Sequence, residues 1–289
     1  MTRSPFVVTV DGGRVTGTAT GPGLPDLPLI VTLHGGSYNA RYFDLPGHSL
    51  LDLAEAFGFP VFSLNRPGYA GSDLPSSGEG TYAAGAGVLD ETIAQLWADH
   101  AAGRPGVVII SHSIGSAIAV HVAAGRPQWP LLGIALHGIN DVCPDHVADA
   151  WNGLPPGQPV IFTPEQRRMF MYGPEGTREH DIVERAEPAT EPIPLAELRE
   201  VVGGWPTSAA ELAARVEVPV HYVLTEHDGL WIADQGRVDT FAGYFTHAPW
   251  VDAQFVRGAG HNLDHHLLSR TLHLQQLAFA WACAVHARA

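Results

Sequence analysis

The regular alternation of strand-like and helix-like segments constrains the fold of this chain more than any other sequence feature. Between residues 29 and 136, short apolar runs are each followed by a segment whose apolar residues have helical spacing. Such alternation favours an α/β fold with a mostly parallel sheet covered by helices on both faces. We expect an opening hairpin over 6–10 and 14–20, strands at 29–33, 61–64, 107–110 and 131–136, and helices over 41–57, 82–100 and 113–124.

The chain changes character between residues 141 and 206. Proline, glycine and aromatic residues are frequent there and strand character is weak, whereas the alternation resumes with a strand at 218–224. A short strand at 253–256 and a long helix over 263–286 complete the pattern. We therefore expect one large α/β core, formed by 1–140 and 207–289, with a helical lid inserted at 141–206. The alternative is an ordinary long surface excursion.

Charge and composition restrict the classes of partner. The chain has 16 basic and 30 acidic residues, and its net charge of −14 opposes binding to nucleic acid or to an anionic membrane surface. No stretch approaches the ~20 uninterrupted apolar residues of a membrane helix. The first residues lack an apolar signal segment, which predicts a cytoplasmic protein, and the two cysteines are expected to be reduced. We expect a monomer or homodimer that binds a small molecule.

Ser113 lies where an expected strand meets an expected helix. The segment 111–115 reads S-H-S-I-G, which is the G-x-S-x-G pattern with serine at its first position. A sharp strand-to-helix turn exposes a serine hydroxyl, and its neighbours must be small so that strand and helix can approach each other. Ser113 is therefore the candidate nucleophile. The alternative is a plain strand-helix turn without a catalytic role.

A serine nucleophile requires a base within hydrogen-bonding reach and an acid partner for that base. In an α/β sheet such groups meet at the carboxyl ends of the strands. His261 lies in a glycine-rich segment before the C-terminal helix and is the candidate base. Asp228 directly follows an expected strand and is the candidate acid, with Glu226 as a nearby competitor and Asp141 as another. The chain order Ser113, Asp228, His261 is one of the known orders for such triads.

A glycine-rich turn follows the strand at 29–33. Acyl transfer needs hydrogen-bond donors aimed at the developing oxyanion, and the expected pair is the backbone N–H groups of Gly36 and Ile114. A turn without catalytic purpose is the alternative. The candidate substrate contacts near this turn and the triad are Ser37, Tyr38, Asn39 and Trp231, and the aromatic lid residues Trp151, Phe170 and Tyr172 are candidate pocket walls.

Histidine and aspartate also cluster around the candidate base. His261, Asp264, His265 and His266 lie close enough at helical spacing to suggest a metal site, because histidine is a common metal ligand. The HExxH motif is absent, however, and two histidines near a helix start are more often exposed or capping. We therefore expect no metal.

Together these residues resemble the α/β-hydrolase superfamily. The resemblance rests on H-G-G at 34–36, N-R-P-G-Y-A-G-S-D at 65–73, S-H-S-I-G at 111–115, Asp228 and G-H at 260–261, and it spans residues 29–286. It implies an eight-stranded, mostly parallel sheet, a Ser-His-Asp triad and no cofactor. Asn65 stands where the family usually has aspartate, and Ser111 replaces the first glycine of the nucleophile motif. The serine nucleophile argues against the haloalkane dehalogenase and epoxide hydrolase branches, for which the resemblance implies aspartate.

The resemblance implies hydrolysis of a carboxylic ester or thioester. In that reaction Ser113 attacks the carbonyl carbon, His261 takes and returns the proton, and Asp228 orients His261. Two alternatives stay open. The same fold is also used for acyl transfer, lactonisation, elimination or C–C bond cleavage, and a chain can retain the fold as a ligand-binding module without turnover.

Overall fold

A computed structural model describes residues 3–75 and 81–288, and its centre is one eight-stranded sheet. The strand order is β1-β2-β4-β3-β5-β6-β7-β8, in which β2 pairs antiparallel with β1 and β4 and all other neighbours are parallel. The predicted eight-stranded, mostly parallel sheet is therefore confirmed. The strands are β1 Ser4–Val10, β2 Gly13–Ala19, β3 Leu29–Leu33, β4 Val61–Leu64, β5 Val107–His112, β6 Leu131–His137, β7 Val220–His227 and β8 Val251–Gly260.

Helices flank this sheet. The helices are α1 Leu50–Ala56, α2 Tyr82–His100, α3 Ile114–Ala124, α4 Asp145–Asn152, α5 Pro164–Met171, α6 Ile182–Arg185, α7 Leu195–Val202, α8 Gly204–Ala214, α9 Gln235–Ala242 and α10 Ser269–His286. Short 3-10 turns cover Ala40–Asp44, Glu175–Thr177, Glu187–Ala189 and Leu263–His265. One group of helices packs α1 against α10, and another packs α3 against α2 and α8. Strands β3, β4 and β5 are fully buried between the layers, which explains their continuous apolar sequences.

Three expected elements differ most from the structure, and the bounds of most others, such as the strand expected at 218–224, shift by one to three residues. The single helix expected over 41–57 is wrong, because Gly47 adopts a φ of 85° and separates a 3-10 turn from α1, which Ser49 caps. The last strand is longer than the expected 253–256, since β8 is a half-buried edge strand in which polar and glycine residues interrupt the apolar pattern. The helix expected over 263–286 is a 3-10 turn followed by α10.

The helices between β6 and β7 occupy the segment expected to form a lid. Helices α4, α5 and α7 contribute apolar side chains to the cavity that contains Ser113. The expected boundary at residue 206 falls inside α8, which packs against α3 and α7 and so belongs to the helical cover of the sheet as well. Across the described residues, no helix is long and apolar enough to span a membrane.

His221, in β7, predicts a specific dependence of stability on pH. Its side chain is buried against Phe279 in α10, and neither ring nitrogen has a hydrogen-bond partner among the described residues. Burial lowers the pKa of His221 to about 4. Because the same histidine in the unfolded chain has a pKa near 6.5, the unfolded state binds more protons between these two values. The contribution of His221 to stability is therefore complete above pH 6.5 and declines as the pH falls towards 4.

We expect His221→Phe to make the protein less sensitive to acid. Urea unfolding at pH 7.5 and pH 5.0 measures the free energy of unfolding of both proteins. The decrease in this free energy between pH 7.5 and pH 5.0 is expected to be smaller in the variant by about 1–2 kcal/mol. Each pH unit over which only the unfolded state binds the proton changes the free energy of unfolding by about 1.4 kcal/mol. The other buried histidines are common to both proteins and cancel. An identical decrease in the two proteins would contradict the expectation.

Candidate active site

Ser113 sits on a strained turn between β5 and α3. Its backbone has φ 53° and ψ −125°, a conformation that non-glycine residues rarely adopt, and its N–H donates to the carbonyl of His137 at 2.8 Å. A Cβ atom at Gly115 would lie 2.3 Å from the carbonyl oxygen of Leu33, so only glycine allows α3 to approach β3 this closely. Ser111 stands where the motif usually has glycine, and its side chain fits there because its hydroxyl donates to the carbonyl of Ala135 at 3.1 Å. The turn thus presents the Ser113 hydroxyl beyond the end of the sheet.

The three residues predicted to form a triad are joined by hydrogen bonds. The Nε2 atom of His261 lies 2.9 Å from Oγ of Ser113, and its Nδ1 atom lies 2.8 Å from Oδ2 of Asp228. The other carboxylate oxygen of Asp228 accepts the N–H groups of Leu230 at 2.9 Å and Trp231 at 3.2 Å. A carboxylate at Nδ1 favours the tautomer that carries its proton on Nδ1, which leaves Nε2 free to accept from Ser113.

The two competing acids lie elsewhere. Asp141 accepts a hydrogen bond from the Tyr244 hydroxyl at 2.7 Å. Glu226 is exposed at the side of the sheet and accepts the N–H of Gly258 at 2.9 Å. His261 therefore has Asp228 as its carboxylate partner, and neither alternative acid contacts it.

Two backbone N–H groups are available beside Ser113. Gly36 and Ile114 line the same cavity as Ser113, and a Cβ atom at Gly36 would lie 3.0 Å from Cδ1 of Ile114. Ile114 is the first residue of α3, so its N–H has no partner within the helix. Within the part of the chain that the structure describes, neither N–H donates a hydrogen bond. The predicted donor pair is thus adjacent to Ser113, the candidate nucleophile.

Ser113 and His261 open into a narrow, apolar cavity, whose volume is about 30 Å³ for the centre of a water molecule and about 460 Å³ when all space between the atoms out to the solvent is included. Aspartate, glutamate, lysine and arginine are absent from its lining among the described residues. The walls are formed mainly by apolar and aromatic side chains, namely Tyr38, Cys143, Val147, Trp151, Phe162, Met171, Ile193, Leu198, Val201, Leu230 and Trp231. The site is therefore suited to an uncharged, apolar group.

The structure divides the predicted substrate contacts into two groups. Tyr38 and Trp231 line the cavity, whereas Ser37 and Asn39 do not, which corrects the expectation for these two. Asn39 caps a 3-10 turn by accepting the N–H of Arg41 at 2.9 Å, and its amide donates to Glu191. Ser37 uses its carbonyl to accept the N–H of Glu191 at 2.8 Å. The Ser37 carbonyl and the Asn39 side chain thus connect two segments of the chain.

Of the three aromatic residues predicted as pocket walls, one lines the cavity and two do not. Trp151 lines the cavity. Phe170 packs behind it, with ring centroids 5.6 Å apart, and is absent from the cavity lining. Tyr172 is buried, and its hydroxyl lies 3.0 Å from Nδ1 of His265. Trp151 is thus the one of these three that an occupant of the cavity would contact.

His112 and most of the apolar wall were not identified from the sequence. The His112 ring stacks on Tyr42, its Nε2 donates to the carbonyl of His261 at 3.2 Å, and burial holds its pKa well below 6.5. A neutral His112 thus supports the loop that carries His261. Its position next to Ser113 was a usable signal. No sequence signal distinguished the apolar lining residues, such as Val147 and Leu198, because they look like ordinary core residues.

The cluster at 261–266 is directed to separate partners. Asp264 is fully buried and accepts from the Tyr42 hydroxyl at 2.8 Å and from Nε2 of His273 at 3.0 Å, and it also contacts His137. His265 bonds the carbonyl of Tyr42, whereas His266 accepts the N–H of Gly260. The described residues contain no group of three or more histidine, cysteine, aspartate or glutamate side chains arranged to hold a metal ion.

A comparison with protein families identifies the fold. The model of the "Alpha/beta hydrolase family" matches residues 30–271, which is most of the chain. The chain belongs to the α/β-hydrolase family. This confirms the resemblance drawn from the sequence motifs. A search of curated protein sequences found no significant match.

Solved structures of three other proteins superpose on nearly the whole chain. A thermophilic esterase from Thermogutta terrifontis has a TM-score of 0.66 at 18% identity, with 98% of this chain and 100% of that chain covered. The thioesterase domain from the curacin biosynthetic pathway has a TM-score of 0.66 at 14% identity, with coverages of 96% and 100%. The N-acyl homoserine lactonase AidH, complexed with N-butanoyl homoserine, has a TM-score of 0.66 at 16% identity, with 97% of each chain covered. At these identities the likeness concerns the fold.

Proposed function

We propose that this α/β-hydrolase cleaves an uncharged carboxylic ester or thioester of small to medium size through an acyl-enzyme on Ser113. One observation carries the proposal, namely the hydrogen-bond chain from Ser113 through His261 to Asp228 at the base of an apolar cavity. The esterase, thioesterase and lactonase among the similar structures are named for cleavage of an acyl bond, which agrees with it.

The reaction has two halves. In the first, Oγ of Ser113 attacks the carbonyl carbon while Nε2 of His261 takes its proton, and the Asp228 carboxylate stabilises the imidazolium. The N–H groups of Gly36 and Ile114 donate to the oxyanion. The intermediate then collapses, His261 returns the proton to the departing alcohol or thiol, and the acyl group stays on Ser113. In the second half, His261 activates a water that attacks the ester carbon, and the carboxylic acid leaves as Ser113 recovers its proton.

We assign the segment 141–206 the role of a lid that selects the substrate. Three of its helices supply cavity walls, through Val147 and Trp151 in α4, Met171 in α5 and Leu198 in α7. Closure by apolar side chains excludes bulk water from the oxyanion and strengthens its hydrogen bonds. The same walls disfavour a charged acyl group, since an unpaired buried charge is costly.

Substrate charge provides the test of this assignment. We expect the p-nitrophenyl ester of butanoate to be hydrolysed with a kcat/KM at least about tenfold higher than that of the similarly long hemisuccinate, whose carboxylate would be buried without a partner. Release of nitrophenol and of carboxylate is measured for both, with the matching thioesters in parallel. Equal rates would contradict the proposed apolar acyl site. Tight binding of the esters without turnover would favour a ligand-binding module, and acyl delivery to an added alcohol rather than water would favour acyl transfer.

A further inference from the structure

Arg66 connects the turn that carries Gly36 to helix α7. Its side chain is fully buried behind the glycine-rich turn. The guanidinium donates to the carboxylate of Glu197 at 2.6 and 3.1 Å. The same group donates to two backbone carbonyls of the turn, through Nε to that of His34 at 2.7 Å and through Nη2 to that of Gly35 at 3.2 Å. One side chain thus fixes both carbonyls that precede Gly36.

The His34 ring gives the Gly35 carbonyl a second donor. Burial, assisted by the charge of Arg66, holds the pKa of His34 well below 6.5, so the ring is neutral. The backbone N–H of Arg66 donates to Nε2 of His34 at 3.1 Å, which makes Nε2 the acceptor. The proton is therefore on Nδ1, which donates to the carbonyl of Gly35 at 2.8 Å. Two donors consequently hold this one carbonyl oxygen.

The Gly35 carbonyl and the Gly36 N–H belong to the same peptide unit. A trans peptide is planar, and its C=O and N–H point in opposite directions, so fixing one fixes the other. The described residues contain no cis peptide bond. Two successive glycines would otherwise leave this peptide unusually free to rotate. We infer that His34 and Arg66 are positioning residues that orient the Gly36 N–H towards the oxyanion, an inference that rests on the proposed function.

Glu197 connects Arg66 to helix α7, which forms part of the cavity wall. It lies in α7 directly before Leu198, which lines the cavity, and its carboxylate also accepts the Tyr69 hydroxyl at 2.6 Å. A buried guanidinium without its carboxylate partner is strongly unfavourable. Arg66 therefore keeps this position only while α7 holds Glu197 against it. The orientation of the oxyanion donor is therefore coupled to the position of the helix that contacts the substrate.

Substitutions of His34 and Arg66 test the inference. In His34→Ala and Arg66→Lys, kcat is expected to fall about 10–100-fold with KM nearly unchanged, somewhat less than the loss of a whole oxyanion donor. The affinity for a trifluoromethyl ketone, whose serine adduct carries an oxyanion, falls by the same factor as kcat/KM. His34→Asn restores kcat, because its amide nitrogen occupies the place of Nδ1 and donates to Gly35. The control is Tyr82→Phe, which removes only a 3.1 Å bond to the backbone carbonyl of Glu197 and should leave kcat unchanged.

Several outcomes would overturn the inference. They are a folded His34→Ala with wild-type kcat, a loss in Tyr82→Phe equal to that in His34→Ala, or a loss confined to KM. If Arg66→Lys does not fold, the comparison of His34→Ala with His34→Asn decides the question. If the wild type does not react with a fluorophosphonate, the proposed function fails separately. Crystal structures of wild type and His34→Ala then show whether the Gly35–Gly36 peptide rotates, and an unrotated peptide rejects the positioning role.

Discussion

Ser113→Ala is expected to abolish labelling of the hydrolase by a fluorophosphonate and to lower kcat for ester cleavage by about 10⁴–10⁶-fold. The substitution removes the one oxygen atom that lies 2.9 Å from Nε2 of His261, and with it the proposed nucleophile. It leaves the turn otherwise intact, because alanine meets the same backbone constraint as serine at a φ of 53°. Labelling is followed by mass spectrometry of the intact protein, and kcat by nitrophenol release.

Ser37→Ala is the matched control for this experiment. Ser37 is also a buried serine with a positive φ, it lies in the turn beside the cavity, and its side chain is outside the cavity lining. Labelling and kcat are expected to match the wild type. Persistent labelling of Ser113→Ala, or an unreactive wild type that is properly folded, would reject the serine mechanism. Loss of activity in Ser37→Ala would indicate that the Ser37 side chain contributes to the active site.

Asp228→Asn is expected to lower kcat by about 10⁴-fold, close to the effect of this change in a known serine triad. An amide in place of Oδ2 presents an N–H to Nδ1 of His261, which forces the ring proton onto Nε2. His261 then cannot accept the proton of Ser113. The remaining amide oxygen can still accept the N–H groups of Leu230 and Trp231, so the loop keeps its conformation. Comparison of kcat with the thermal midpoint separates the loss of catalysis from a loss of folding.

Asp141→Asn is the matched comparison for the acid. Asp141 follows β6 and accepts the Tyr244 hydroxyl, which an asparagine oxygen can also accept. We expect its kcat to stay close to that of the wild type. A comparable loss in the two variants would contradict the assignment of Asp228, and a larger loss in Asp141→Asn would reverse it.

The hydrogen bonds of residue 65 explain why asparagine stands where the family usually has aspartate. Asn65 accepts the N–H of Ala40 at 2.7 Å, and its amide donates to the Thr16 hydroxyl oxygen at 2.7 Å. That hydroxyl gives its own proton to the carbonyl of Ala70 at 2.9 Å, so its oxygen needs a donor. An ionised carboxylate at residue 65 has no proton to supply. Asparagine thus suits this arrangement without any change to the predicted triad.

Local sequence patterns determined the sheet and the positions of the three side chains proposed to react. Strands β3 and β4 and helix α2 have the bounds expected from the sequence, because buried apolar runs and helical spacing are encoded by neighbouring residues. Ser113, Asp228 and His261 were identifiable because parallel strands bring their carboxyl ends to one edge of the sheet. Where the local pattern was ambiguous, as at Gly47, the expected helix was wrong.

Only the tertiary structure decided which of these groups meet and what surrounds them. The choice of Asp228 over Asp141 depends on which carboxylate reaches Nδ1 of His261, and that distance has no local sequence signal. The cavity wall is assembled from apolar side chains of separate helices that resemble core residues in the sequence. The pair of Arg66 and Glu197 joins residues 131 positions apart. Such contacts arise from the packing of the whole chain, since burial and pairing energies depend on neighbours in space.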